Sequence, residues 1–272
     1  MVTSEGIGIR ADSRNIKINI PKYPLVWIRC IIKADKVSSM GNLYIVATPI
    51  GNLQDITIRA IETLKSVDLI ISEDTRKTGI LLSELGKRFN YEVKKTNLLS
   101  YFEQNEEKRI PEIISVIKEG VNVALVSDAG TPTISDPGFK LVRECLKEKI
   151  KVISIPGPSS VISSLVSSGL PTDKFTLLGF LPKKSGHRAA MFKKIKKANE
   201  ELKTTFILFV PPHGLIKTLE EMMVYFGDRE VVVARELTKI FEEIKKDKIS
   251  SFIEYYSKKG VKGEIVLLFN FN

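Results

Sequence analysis

From residue 43 onward, short apolar runs alternate with stretches whose apolar residues recur at helical spacing. The runs Leu43–Thr48, Val67–Ser72, Val121–Ser127, Lys151–Ile155, Phe175–Phe180, Thr205–Val210, Glu230–Ala234 and Glu264–Phe269 predict eight strands. Ile56–Leu64, Thr78–Leu85, Glu106–Glu119, Gly138–Lys147, Ser160–Ser168, His213–Phe226 and Ile249–Lys258 predict helices, because a 3.6-residue period lets one face be buried. Asp136-Pro137 reads as a helix start, an acid that caps free backbone donors before a proline suited to the first turn. Strands alternating with helices are repeated βαβ units, so the class is α/β. Pro156, Gly157, Pro158, Gly169 and Pro171 flank a serine-rich helical segment and mark a boundary. The expected organisation is two α/β domains, 41–158 and 159–272, preceded by an extension over 1–40. Residues 1–39 do not join the alternation, and read as an appended arm or as the result of a start site placed too early.

Charge narrows the choice of partners. The chain of 272 residues carries 42 basic against 32 acidic side chains, a formal charge of +10. That balance suits a polyanion or an anionic surface, although solvated lysine faces produce the same excess. Cys30 and Cys145 lie far apart and are expected to be reduced and inert. His187 and His213 are the only histidines, too few for a His-rich or Cys/His metal site. The apolar stretch Leu25–Ile32 is interrupted by Arg29 and falls short of the ~20 residues of a membrane span. Residues 1–39 lack the blocks of a secretory signal, so a cytoplasmic protein is expected.

Four loops after apolar runs are rich in Gly, Pro, Asp and Thr: Thr48–Asn52, Ser72–Arg76, Ser127–Pro132 and Pro156–Ser160. Ligands of open α/β sheets bind beyond the carboxyl ends of the strands, where such loops converge. Gly51, Gly130 and Gly157 would let backbone approach a ligand closely. No Gly-x-Gly-x-x-Gly follows the first run, and the spacing from Gly79 to Gly86-Lys87 is too long for a phosphate loop. The Gly-x-Ser-x-Gly elbow of a serine hydrolase is also missing.

Several strings carry a resemblance. Leu43-Tyr-Ile-Val-Ala-Thr-Pro-Ile-Gly-Asn-Leu-Gln-Asp55, Ser72-Glu-Asp-Thr-Arg76, Leu125-Val-Ser-Asp-Ala-Gly-Thr-Pro132, Ser135-Asp-Pro-Gly138, Gly179-Phe-Leu-Pro182 and Ala234-Arg-Glu-Leu-Thr-Lys239 resemble the ribosomal RNA small subunit methyltransferase I family across about residues 41–269. The resemblance implies a fold of the tetrapyrrole methylase type, two α/β domains with S-adenosyl-L-methionine in the cleft between them, and a homodimer. It further implies 2′-O-methylation of a cytidine in the decoding region of 16S ribosomal RNA, free or within the small ribosomal subunit. Carried onto this chain, the cofactor contacts are Pro49, Asp128, Ala129, Gly130, Thr131, Ser160, Val161 and Ala234. The chain departs from the family at Val210-Pro211-Pro212-His213-Gly214, where relatives typically read Glu-Ser-Pro-His-Arg, so an acid and an arginine are gone.

A base beside the ribose hydroxyl would assist transfer, and Glu73, Asp74 and Glu236 are the candidates. The competing expectation is structural: Asp74 or Thr75 caps a helix, and Glu236 pairs with Arg235 or Lys239. Arg76, Lys183, Lys184, Arg188 and Lys239 are candidate RNA contacts, with Lys193, Lys194, Lys196 and Lys197 following in the same basic segment. A solvated helix face is the alternative for those lysines. Two other functions fit the pattern less well: a tetrapyrrole-type methylase acting on a small molecule, and a non-catalytic RNA-binding relative. The strings at Ser72–Arg76 and Ala234–Lys239 argue for the RNA enzyme.

Overall fold

A computed structural model describes residues 39–89 and 97–271. The expectations for residues 1–38, Cys30 included, lie outside them. The described residues belong to one compact unit. Its first half runs β1 (Leu43–Val46), α1 (Ile58–Ser66), β2 (Leu69–Ser72), α2 (Thr75–Phe89), β3 (Asn97–Ser100), α3 (Glu106–Lys118), β4 (Val123–Val126), α4 (Phe139–Lys147) and β5 (Val152–Ile155). These strands make an all-parallel sheet in the order β3-β2-β4-β1-β5. The runs forming β2 and β4 are apolar without alternation because both faces of a parallel sheet are covered. On one face, Val46, Ile70, Ala124 and Val126 meet Ala60, Ile61 and Leu64 of α1 and Leu82 and Leu85 of α2. Thr57 starts α1, its hydroxyl accepting the Ala60 amide at 3.1 Å.

Helix α5 (Ser160–Ser167) links this sheet to a second half: β6 (Phe175–Phe180), α6 (Ser185–Leu202), β7 (Thr205–Val210), α7 (Leu215–Phe226), β8 (Glu230–Arg235), β9 (Glu243–Lys248), α8 (Ile249–Lys259) and β10 (Ile265–Phe269). The second sheet has the order β6-β7-β10-β8-β9. Only β6 and β7 are parallel, because β10 inserts antiparallel between β7 and β8, and β9 returns beside β8. Phe192 of α6, Leu219 and Met222 of α7 and Phe252 of α8 fill one face. Val161 and Leu165 of α5 cover the other, together with Ile50 from the first sheet's first loop.

Three details differ from the sequence expectation. Strands β3 and β9 are additional, each at the edge of its sheet. The lysine-rich segment after Pro182 is an 18-residue helix, α6. The start of α4 lies at Gly138, which has φ +131 and no side-chain cap, so Asp136 does not cap it. Asp136 instead faces a cavity.

Candidate functional site

The order β2-β4-β1-β5 makes the four Gly/Pro-rich loops neighbours at the carboxyl edge of the first sheet. Thr48 and Gly130 exchange both backbone hydrogen bonds, at 2.9 and 3.0 Å. The Thr48 hydroxyl donates to the Ser127 carbonyl at 3.1 Å, and the Thr131 hydroxyl donates to the Pro158 carbonyl at 3.1 Å. The Asp74 amide donates to Asp128 Oδ1 at 3.3 Å, while Lys77 Nζ donates to Asp128 Oδ2 at 2.6 Å. One hydrogen-bonded rim results. The second half touches it through the loop after β8: the Asn52 amide donates to Thr238 Oγ1 at 3.0 Å. Gly51 is required there, since a Cβ would lie 2.5 Å from Lys239 Cγ.

A cavity of about 410 Å³ opens between this rim and the second sheet. Of the residues carried over as cofactor contacts, Asp128, Ala129, Gly130, Thr131, Ser160, Val161 and Ala234 line it. Pro49 lines a neighbouring cavity of about 260 Å³, which shares Ile50, Asp128, Ala129 and Glu264 as walls. The ionisable side chains of the larger cavity are all acids, Asp128, Asp136 and Glu264, whereas the smaller one adds Lys77 and Lys239. Gly130 takes φ +81, so its bare backbone forms part of the wall. Sequence reasoning read Asp136 as a helix start and quoted Phe180 within Gly179–Pro182, but gave neither a place in the site, and it did not single out Phe209 or Glu264 as site residues. Only the packing of the halves brings these four to one cavity.

The three candidate bases have different surroundings. Burial pushes the Glu73 carboxyl above its ordinary value, and the charges of Asp128 and Asp136 push it further the same way. Asp74 is bound to Arg76 through Nε at 3.0 Å and Nη2 at 2.8 Å, and it also accepts the Arg76 amide at 3.0 Å. That capping position at the start of α2 holds its carboxyl down at about 2, chiefly through the hydrogen bonds from Arg76. Glu236 accepts Lys239 Nζ at 2.8 Å and the Glu264 amide at 3.1 Å, and the lysine bond leads in lowering its pKa. It lies against Gly263, where a Cβ would come within 2.3 Å of its carboxyl group.

The candidate RNA contacts separate in the same way. Lys183 and Lys184 are exposed at the entry to α6, and Lys193, Lys194, Lys196 and Lys197 lie on its exposed side. Arg188 requires a correction, because its side chain is only 11% exposed and forms a bidentate pair with Glu221 at 2.6 and 2.7 Å. It also donates to the carbonyls of Pro182 and Lys183, which commits its donors to holding the loop. Lys239 is likewise engaged by Glu236 and Glu264, and Arg76 by Asp74. In the altered segment, Val210, Pro211 and Pro212 line the larger cavity and Pro212–Gly214 forms a 3-10 turn.

A parallel sheet and a mixed sheet thus close over an acid-edged, mostly apolar cavity. Over residues 42–253 the chain matches the family described as Tetrapyrrole (Corrin/Porphyrin) Methylases. A cobalt precorrin-4 methyltransferase of cobalamin biosynthesis shares the fold, with a TM-score of 0.60 at 18% identity over 84% of this chain and 94% of its own. The uroporphyrin-III-C-methyltransferase of Thermus thermophilus does so with a TM-score of 0.57 at 16% identity, over the same shares. Ribosomal RNA small subunit methyltransferase I of Thermotoga maritima is 48% identical over 229 residues, 84% of this chain and 98% of the relative. Its counterpart from Hydrogenobaculum sp. is 48% identical over 227 residues, 83% of this chain and 94% of the relative. The chain belongs to the tetrapyrrole methylase family of methyltransferases, in the branch of the proteins named ribosomal RNA small subunit methyltransferase I.

Proposed function

We propose that this protein transfers a methyl group from S-adenosyl-L-methionine to the 2′-hydroxyl of a cytidine in the decoding region of 16S ribosomal RNA. The observation that carries the reading is the larger cavity. Its size falls in the usual range for small-molecule sites, and it combines apolar walls with a few convergent polar groups. Seven of the carried-over contacts meet in it, and its ionisable groups are three carboxylates, a set suited to a cationic ligand. The bare Gly130 backbone provides an approach that a side chain would block. These residues fit the donor.

When bound, S-adenosyl-L-methionine supplies a methyl group activated by its positive sulfur. The chain's own task is placement. Asp128, held by Lys77 and by the Asp74 amide, presents a fixed carboxylate at the wall common to both cavities. Ile50, Leu237, Phe209 and Val266 exclude water from one side, which helps hold reacting groups in line. Glu73 is the candidate base we favour: it is exposed and lines neither cavity, but it adjoins Asp74, whose amide is bonded to the cavity residue Asp128, and its pKa is raised where those of Asp74 and Glu236 are lowered. Asp74 and Glu236 then act by positioning α2 and the loop after β8. Lys183 and Lys184 are the basic contacts left open to RNA phosphates. On this reading 41–158 and 159–272 act as two domains, and the protein works in the cytoplasm as a homodimer on the RNA or the small subunit.

The test combines calorimetry of the donor with mass mapping of 16S ribosomal RNA from cells lacking the gene. Donor binding and the loss of one ribose methylation, restored by the wild-type gene, are expected. An RNA map that is unchanged on deletion would overturn the substrate, and a protein that binds RNA without the donor would leave a non-catalytic binder.

A further inference from the structure

The loop from Glu236 to Glu242 is pinned along its length yet ends in two exposed apolar side chains. The Glu236 amide donates to the Glu264 carbonyl at 3.0 Å, and the Lys239 amide donates to the Glu236 carbonyl at 3.0 Å. The Glu242 amide donates to the Lys239 carbonyl at 3.1 Å, while the Glu242 carboxylate accepts the Thr238 amide. Thr238 is tied to Asn52 across the two halves, and Glu236 and Thr238 hold φ values of +52 and +65. Positions of this kind cost energy in a residue other than glycine and persist where the surroundings impose them. Leu237 lines the larger cavity and Lys239 the smaller. Immediately beyond, Ile240 is 94% exposed and Phe241 71% exposed.

Single exposed apolar residues are ordinary, but a consecutive pair on a rigid loop beside a cavity calls for a ligand. We infer that Phe241, with Ile240 beside it, is a stacking platform for an unpaired base next to the methylated nucleotide. The inference rests on the RNA substrate proposed above. A ribose hydroxyl inside a folded RNA reaches a recessed donor only when its nucleotide is splayed from its neighbours, and proteins hold such bases on aromatic faces. A rigid platform suits this task because little conformational freedom remains to be lost on binding. The chain's formal charge of +10 favours a polyanion as partner overall, while the ring supplies a local platform without regard to sequence.

The experiment uses the full chain and a short 16S decoding-region RNA. F241A is expected to lower kcat/KM for RNA by about 5- to 150-fold, the range for removing one base–aromatic stack, while affinity for S-adenosyl-L-methionine and the sedimentation coefficient stay at wild-type values. F241W restores activity, and its added tryptophan fluorescence is quenched by the RNA, with the wild-type protein and its single Trp27 as the blank. Wild-type kcat/KM in F241A with no quenching in F241W overturns the platform while leaving the RNA reading intact. A changed oligomeric state in F241A assigns the pair to an interface between copies and also overturns it. A wild-type protein that neither binds nor methylates the RNA refutes the substrate reading, and the platform with it.

Discussion

Gly130→Val is the most direct perturbation of the larger cavity. Gly130 has φ +81, and its amide and carbonyl are both bonded to Thr48 at 3.0 and 2.9 Å, so the backbone has no easy route to another conformation. A left-handed conformation costs a residue with a Cβ about 1–2 kcal/mol. The Cβ itself would lie 3.3 Å from Ile50 Cγ2, in a cluster with Val161 and Leu237 that has little freedom to yield. Strain and crowding together give a loss of about 2–3 kcal/mol, within the ~5–15 kcal/mol that a domain typically has. The variant is therefore expected to fold. The valine methyl groups would then occupy space at the wall, and affinity for S-adenosyl-L-methionine should fall by at least about tenfold, equivalent to ~1.4 kcal/mol. Urea denaturation measures the first effect and titration calorimetry the second, with Gly130→Ala expected between Val and wild type in both. A folded Gly130→Val protein with wild-type donor affinity would refute the assignment of this wall to the donor.

Arg188→Ala should lower stability by about 1–2 kcal/mol, because Glu221 and two carbonyls are deprived of their donor, without changing the salt dependence of RNA affinity. Lys183→Glu with Lys184→Glu should do the reverse: unchanged stability and a salt slope shallower by roughly 0.7 for each single-strand phosphate that the lysines no longer neutralise. A denaturation curve and RNA titrations at several salt concentrations separate the two. Asp136→Asn removes a negative charge that raises the Glu73 pKa, so the acid limb of the pH–rate profile should move to lower pH. A limb that stays in place would remove Glu73 from the role of base.

The central strands and the ligand-facing edge were legible in the sequence for a common reason. Interior strands such as Leu69–Ser72 and Val123–Val126 must be apolar on both faces, and the loops after them need Gly and Pro to pass close to one another. Edge strands have no such constraint. Strand β9, Glu-Ile-Lys-Lys-Asp-Lys, has one neighbour and carries lysines that discourage further pairing, so its composition reads as a loop. Helix α6 buries Phe192 and Ile195 fully but leaves several lysines in solvent, which hid its period behind its charge. The basic loop was visible as charge, but charge alone did not separate Lys183, which is exposed, from Arg188, which Glu221 neutralises. The acidic edge of the larger cavity was invisible for a different reason: Glu264 comes from the far end of the chain and meets Asp128 only after β10 inserts into the second sheet.

Backbone strain in this protein is concentrated where the two sheets meet. Among the described residues, the non-glycine positions with positive φ are Thr133, Ser135, Lys149, Lys203, Glu236 and Thr238. Lys149 follows α4 and Lys203 ends α6, both ordinary places for a left-handed residue at a helix terminus. The other four flank the cavities: Ser135 lines the larger one, Thr133 lies between its wall residues Thr131 and Ile134, and Glu236 and Thr238 bracket Leu237. Substitution by glycine would relieve each backbone, yet two of these side chains have work that glycine cannot do. Glu236 bonds the Glu264 amide and Lys239, and Thr238 accepts the Asn52 amide from the opposite half. The strain is therefore coupled to the joint between the halves. A fold that needs the carboxyl edge of one sheet and the β8 loop of the other in fixed register gains that register from these polar links, and its larger cavity has a defined shape because of them.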